Sequence, residues 1–232
     1  MKMEYLVLDT ETTGLFNFSR PADEAGQPRL ANVHMISADK NGAPIQAHDF
    51  IIKPDHTWTD ADFDNLESPS NPNPLTRAQL EAEGVPIRQV LECYTEALIE
   101  HGLILVAHNA QFDAKVMRAE LRRAGMDDLF DRTPNICTMR GMQKVIGGKW
   151  PKLVEALAHI GETLENAHSA DADTDGARKL LTWMINTGNL PDAAVHKAKE
   201  GSKSAQAHAA RKDSKPIPPA SDSKRGDIPS EF

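Results

Sequence analysis

The sequence predicts an α/β fold in which a mixed central sheet opens as an antiparallel meander, continues in parallel strands and carries helices on both faces. Three observations lead there. Tyr5 to Leu15, YLVLDTETTGL, is an apolar run that reads as a buried strand. Val33 to Ala38 and Ile45 to Lys53 flank Asp39-Lys40-Asn41-Gly42, whose Asn-Gly pair is a hairpin signal. Leu103 to Ala107, LILVA, is a continuous apolar run between helical patterns, as a central parallel strand would be.

The elements follow in order. After the first strand comes a polar loop, Phe16 to Arg29, punctuated by Pro21, Gly26 and Pro28. Residues 54 to 75, rich in Pro, Asp and Asn with Pro69, Pro72 and Pro74 clustered, predict a long surface loop. Leu75 to Gly84 suits a short helix, and Pro86 to His101 a longer one with proline at its first position. Past LILVA, the segment to Ala124 reads as a helix closed by Gly125. Asn135 to Met139 predicts a short strand, and Pro151 to Ile160 a helix ended by Gly161. The last helix, Ala170 to Thr187, places acids in its first turn, where they complement the helix dipole.

From Asn189 the character changes, and Gly201 to Phe232 is dominated by Ser, Lys, Ala, Asp and Pro. Such a composition cannot bury enough apolar surface to offset chain entropy. The expected division is a folded domain over residues 1–188 and a disordered or tether-like tail over 189–232.

With 40% hydrophobic and 26% charged residues, the chain has the composition of a soluble globular protein, and no apolar run approaches a membrane span of about eighteen residues. The short apolar stretch at the N-terminus runs straight into acids and is not a signal peptide. Cys93 and Cys137 share no paired spacing and read as reduced packing residues, which suits a cytoplasmic protein. The net charge is −8; residues 190–232 hold eight Lys and Arg against six Asp and Glu, which leaves residues 1–189 at −10. This argues against a broad basic nucleic-acid surface but leaves local contacts open, and the acids of the folded part need a reason.

Asp9 and Glu11 supply one. Side chains alternate along a strand, so the two carboxylates point the same way. At 4 Å and an effective dielectric near 20 they repel by about 4 kcal/mol. A cation between them would relieve this, and an all-oxygen set suits Mg²⁺ or Mn²⁺ better than Zn²⁺. Asp113 stands early on the helix that follows LILVA. His168 and Asp173 stand five residues apart across the start of the last helix, with Asp171 and Asp175 close by.

YLVLDTETTGL, LVAHNAQFD and AHSADAD, in this order, resemble the three motifs of the DEDDh, or DnaQ-like, 3′ to 5′ exonucleases. That family lies in the ribonuclease H-like superfamily and includes the proofreading subunit of bacterial DNA polymerase III and ribonuclease T. The resemblance covers residue 4 to about 185, with GKWPKLVEAL also similar to segments of bacterial and phage members. It implies the ribonuclease H-like fold and two Mg²⁺ or Mn²⁺ ions held by Asp9, Glu11, Asp113 and Asp173. His168, at the position that defines the histidine branch, would be the general base, since a histidine titrates near neutrality. Asp173 fits the family spacing from His168, whereas Asp171 and Asp175 suit the dipole or solvent. The resemblance further implies that Asp9, Glu11 and Asp173 hold the ion that activates water, that Asp9 also bridges to the second, and that Asp113 contributes through ordered water.

By the same resemblance the backbone at Thr10 meets the terminal 3′ hydroxyl, Leu15 wedges against the last base, and Asn109 and Phe112 shape the pocket wall. Phe16 and Phe18 are candidates for stacking on bases, and Arg118, Arg122 and Arg123 read as a solvated helix face. The implied function is a phosphodiester hydrolase releasing nucleoside 5′-monophosphates from single-stranded or frayed 3′ ends of DNA, a bacterial or phage-encoded cytoplasmic enzyme with a proofreading kinship. Two alternatives stand beside it: an exoribonuclease of the ribonuclease T or oligoribonuclease kind, and a non-catalytic module binding nucleic-acid ends or a polymerase. Candidate partners are single-stranded DNA, RNA, a DNA polymerase and a single-strand-binding protein, whose acidic tip the end of the tail, Gly226 to Phe232, faintly resembles.

Overall fold

The structure, a computed structural model, describes residues 2–17, 20–68, 74–129 and 131–195. The sheet order is β3-β2-β1-β4-β5-β6. The meander is built from β1 (Met3–Thr12), β2 (Leu30–Asp39) and β3 (Pro44–Ile51), paired antiparallel. Next, β4 (Ile104–Ala107) and β5 (Pro134–Cys137) extend the sheet in parallel from β1, and β6 (Ala194–Val195) adds an antiparallel edge. The sheet therefore takes in residues beyond 188, where the composition changes. The tail assignment for residues 196–232, and Pro69, Pro72 and Phe18, lie outside the described residues.

The helices are α1 (Asp60–Leu66), α2 (Arg77–Glu83), α3 (Ile87–Thr95), α4 (Ala110–Arg123), α5 (Thr138–Ile146), α6 (Leu153–His159) and α7 (Ala170–Thr187). Pro86 is the cap of α3 and not its first residue, and the helix runs on as a π-helical turn, Glu96–Glu100. Two elements differ from expectation. Part of the segment expected to be a long loop folds into α1, because Asp62 accepts from the Thr59 hydroxyl and N–H at 2.8 Å each, which caps the helix, while Phe63 and Leu66 bury. The strand expected to reach Met139 stops at Cys137, and α5 begins at Thr138. Gly141 inside that segment weakens a helical reading, yet it is what lets α5 approach α7: a Cβ there would lie 2.8 Å from Met184 Cε.

The alternation of β1 divides the core. Leu6 and Leu8 pack with Val90, Leu91 and Tyr94 of α3 and Val116, Met117 and Leu121 of α4. Tyr5 and Val7 face the other way, onto Ala177 and Leu181 of α7. Helices thus cover both faces, as the sequence predicts. Each fully buried leucine in these layers contributes about 1.5–3 kcal/mol, so β1 is held rigidly from both sides. The hairpin turn is fastened to α7 as well: Gly42, at φ +79°, offers its carbonyl to Thr182 Oγ1 at 3.1 Å and Arg178 Nη1 at 3.2 Å, and a Cβ there would collide with Thr182. No helix among the described residues is long and apolar enough to cross a membrane.

One polar contact positions α4. Glu120, 2% exposed, accepts from Arg29 Nε at 3.1 Å, Arg123 Nη1 at 2.7 Å and the Leu30 backbone N–H at 3.1 Å, tying α4 to the start of β2. Removing one partner of a buried ion pair leaves the other charge uncompensated. Glu120→Ala is expected to lower unfolding stability by about 3–5 kcal/mol, measured as a shift of the urea midpoint.

Candidate active site

The end of β1 places acids and a hydroxyl on opposite faces of one strand. Asp9 and Glu11 share the parity of Val7 and so point toward α7, while Thr10 shares that of Leu8 and points toward α4. On α7, Asp173, Ala177 and Leu181 are spaced by four and lie on one stripe. The stripe that buries Ala177 and Leu181 against Val7 therefore carries Asp173 to the strand end. One carboxylate oxygen from each of Asp9, Glu11 and Asp173 lies within 4.8 Å of the others.

Asp113 arrives from the opposite layer. It sits in the first turn of α4, 2% exposed, and its Oδ1 accepts from Thr10 Oγ1 at 2.9 Å. The Thr10 backbone N–H also donates to this carboxyl. Thr10, expected at the substrate, thus has its buried hydroxyl engaged in aiming the fourth acid. Asn109, which opens α4, is exposed and in the left-handed region at φ 76°, a conformation uncommon outside glycine.

Electrostatics within this group are unfavourable. Burial, and then the charges of Asp113, Asp173 and Glu11, hold the Asp9 carboxyl well above the usual carboxylate range. Burial, reinforced by Asp173 and Asp113, pushes Glu11 up to about 7. Burial likewise raises Asp113 to about 7, against the opposing hydrogen bonds from Thr10. Asp173 is raised by burial, partly offset by the His168 N–H. Among the described residues, no lysine or arginine figures among the main charges that bear on these four groups. An all-oxygen set of crowded, half-buried carboxylates without a protein cation fits a divalent hard cation.

Helix register distinguishes the three acids near His168. Asp173 joins Asp9 and Glu11, whereas Asp175 pairs with Arg178 at 2.7 Å and Lys179 at 3.4 Å, and Asp171 is exposed and bonded by Ser169. His168 stands on the rim, exposed, at φ 71°, with its backbone N–H directed at Asp173 Oδ1 at 3.4 Å. Leu15 is 91% exposed just past the acidic strand end, an apolar side chain left in water.

Several expected surface residues are instead structural. Phe16 is buried, edge-on to Phe112 at 6.1 Å between centroids, so it is a packing residue with no face free for a base. Phe112 is correspondingly half-buried against the core. Arg118, Arg122 and Arg123 do not form a solvated face. Arg118 and Arg122 converge on Asp128 at 2.6 Å, and Arg123 bonds Glu120 and the Pro28 and Gln27 carbonyls. Asp128, Pro28 and Gln27 come from loops that helix periodicity does not reveal. The role of Glu120 was equally hidden, because its partner Arg29 lies 91 residues away.

A family described as Exonuclease matches residues 76–181. The chain is 26% identical over 196 residues to a DNA polymerase III subunit epsilon-like protein of Rhodobacter capsulatus, covering 79% of this chain and 24% of that one. It is similar in fold to a zinc-bound complex of E. coli ExoI with single-stranded DNA, at TM-score 0.62 and 18% identity over 81% of this chain and 41% of the other. A nuclease domain of 3'hExo, described as a DEDDh family member bound to rAMP, matches at TM-score 0.62 and 13% identity, covering 84% of this chain and 96% of that one. The first two of these relatives are much longer than the part this chain spans. The architecture is the ribonuclease H-like fold.

The raised carboxyls make a stability prediction. Between the unfolded values near 4 and folded values near 7, the unfolded chain binds fewer protons, so stability falls as pH rises through that window. For Glu11 alone the loss is on the order of 3 kcal/mol. In EDTA the Tm is expected to drop from pH 5 to pH 8, Asp9→Asn to raise it at pH 8, and Mg²⁺ to raise it more at pH 8 than at pH 5, all by scanning calorimetry. A Tm that rises with pH in EDTA contradicts the electrostatics above.

Proposed function

We propose that the chain is a DnaQ-like exonuclease, a metal-dependent 3′ to 5′ enzyme that acts on single-stranded or frayed DNA ends and releases nucleoside 5′-monophosphates; the match of residues 76–181 to an exonuclease family supports this reading. The observation that carries this reading is the meeting of Asp9, Glu11 and Asp173 at one strand end, with Asp113 aimed beside them by Thr10.

Asp9, Glu11, Asp113 and Asp173 would hold two Mg²⁺ or Mn²⁺ ions. Such ions, when bound, neutralise phosphoryl oxygens and lower the pKa of water. The residues of the chain do the rest. His168, on the exposed rim next to Asp173, accepts a proton from the attacking water. Leu15 presents an apolar face to the terminal base and holds the 3′ end against the strand. Thr10 keeps the Asp113 carboxylate in one orientation, while Asn109 and Phe112 shape the wall behind it.

The kinship with a polymerase III epsilon-like protein supports a role near a DNA polymerase, with proofreading as its sense. A second reading, hydrolysis of RNA, is supported by the likeness to a nuclease domain bound to rAMP. The sugars are told apart by contacts to the 2′ hydroxyl. Parallel digestion of matched DNA and RNA strands decides between them, with DNA expected to be cut faster.

A 5′-labelled oligonucleotide is expected to shorten one nucleotide at a time with Mg²⁺ or Mn²⁺ and to survive in EDTA. Asp9→Asn should abolish the ladder, and a wild-type rate in that variant would sink the assignment. His168→Ala is expected to lower kcat by about 10²–10⁴-fold with little change in KM, measured by single-turnover kinetics.

A further inference from the structure

Residues 140–159 depart from the acidity of the rest, with Arg140, Lys144, Lys149 and Lys152 against Glu155 in a chain of net charge −8. Lys144, Lys149 and Lys152 are exposed. Among them stands Trp150, 53% exposed, with the Arg140 guanidinium 5.4 Å from an indole centroid. The turn before it, Gly147 and Gly148, has φ of +79° and +74°, which only glycine adopts freely. An open hollow of about 680 Å³ lies against the indole, lined also by Pro151 and His159.

This loop is fixed to the segment that delivers Asp113. His108 lies 3.1 Å through Nε2 from the Pro151 carbonyl and 3.0 Å through Nδ1 from Thr138 Oγ1. A carbonyl only accepts, so Nε2 carries the proton and donates. His108 directly precedes Asn109, the first residue of the turn into α4. Pro151, the next residue after Trp150, is thus tied through His108 to the turn that opens α4, the helix that carries Asp113.

We propose that Trp150 and its cations form a platform for the single-stranded nucleic acid that trails away from the 3′ end, one base stacking on the indole while Arg140, Lys149 and Lys152 face its phosphates. The inference rests on the exonuclease reading and deepens it. Stacking on an exposed indole tolerates any base, and neighbouring cations follow the backbone. The pattern suits a polyanion with flat faces better than a protein surface. A stable protein interface needs about 800 Å² per partner around an apolar centre, and here Ile146, Trp150 and Val154 alternate with Lys144, Lys149 and Lys152.

Two measurements test it on the full chain. In an Asp9→Asn background, which keeps the strand intact, anisotropy of a fluorescent fifteen-nucleotide strand should show about tenfold weaker binding for Trp150→Ala and near wild-type binding for Trp150→Phe. Lys149→Gln should lower the slope of log K against log salt by about 0.7. With the wild-type catalytic residues, the ratio of kcat/KM on the fifteen-mer to that on a dinucleotide should fall about tenfold in Trp150→Ala. An unchanged binding constant and ratio in Trp150→Ala overturn the platform even where cleavage is robust. Trp150-dependent binding without any cleavage keeps the platform and rejects the hydrolytic reading. If Trp150→Ala leaves strand binding intact but abolishes self-association of the chain in ultracentrifugation, the face is a protein interface and the proposal falls.

Discussion

The structure depends on keeping four carboxylates together at the end of one buried strand. Left to themselves Asp9, Glu11, Asp113 and Asp173 repel, and burial raises the cost of ionising each. What holds them is the apolar packing of β1 on both faces: Leu6 and Leu8 into the layer of α3 and α4, Tyr5 and Val7 into that of α7. A site of this kind stores unfavourable electrostatic energy against a rigid hydrophobic frame, energy that a bound cation would release.

Hydrogen bonds then decide which acids belong. Asp113 is selected by Thr10, whose hydroxyl and N–H both reach it. Asp171 and Asp175 are as acidic in sequence as Asp173, but the register of α7 turns them away, one to solvent and one onto Arg178 and Lys179. Asn109, which caps α4, and His168, whose N–H is directed at Asp173, are both held at positive φ. Backbone strain of that kind concentrates where a fold holds functional groups in place.

Much of this was legible in the chain itself because it depends on short periods. The alternation of YLVLDTET set the common direction of Asp9 and Glu11, the apolar LILVA run set the parallel strand beside it, and Gly125 and Gly161, both at positive φ, marked helix ends. What escaped depends on distant partners. Helix α1 has only Phe63 and Leu66 to bury and is fixed by Thr59 and by Thr13, whose hydroxyl lies 2.7 Å from Asp62 Oδ1. Helix α5 was masked by the glycine that α7 requires. Arg118 and Arg122 looked like a wet helix face because Asp128, beyond the end of the helix, is invisible to a periodicity of 3.6.

The acids come from both sides of the sheet: α7 presses Asp173 in from one face and α4 presents Asp113 from the other. The separation between them is therefore a thickness, set by the two apolar layers and the strand between. The acidic cluster acts as a caliper on the hydrophobic core, registering small changes in layer spacing as displaced carboxylates. Methyl-scale edits at Leu8, Ala177 or Met117, in the layers and not among the acids, would shift the carboxylates relative to one another while the fold still stands.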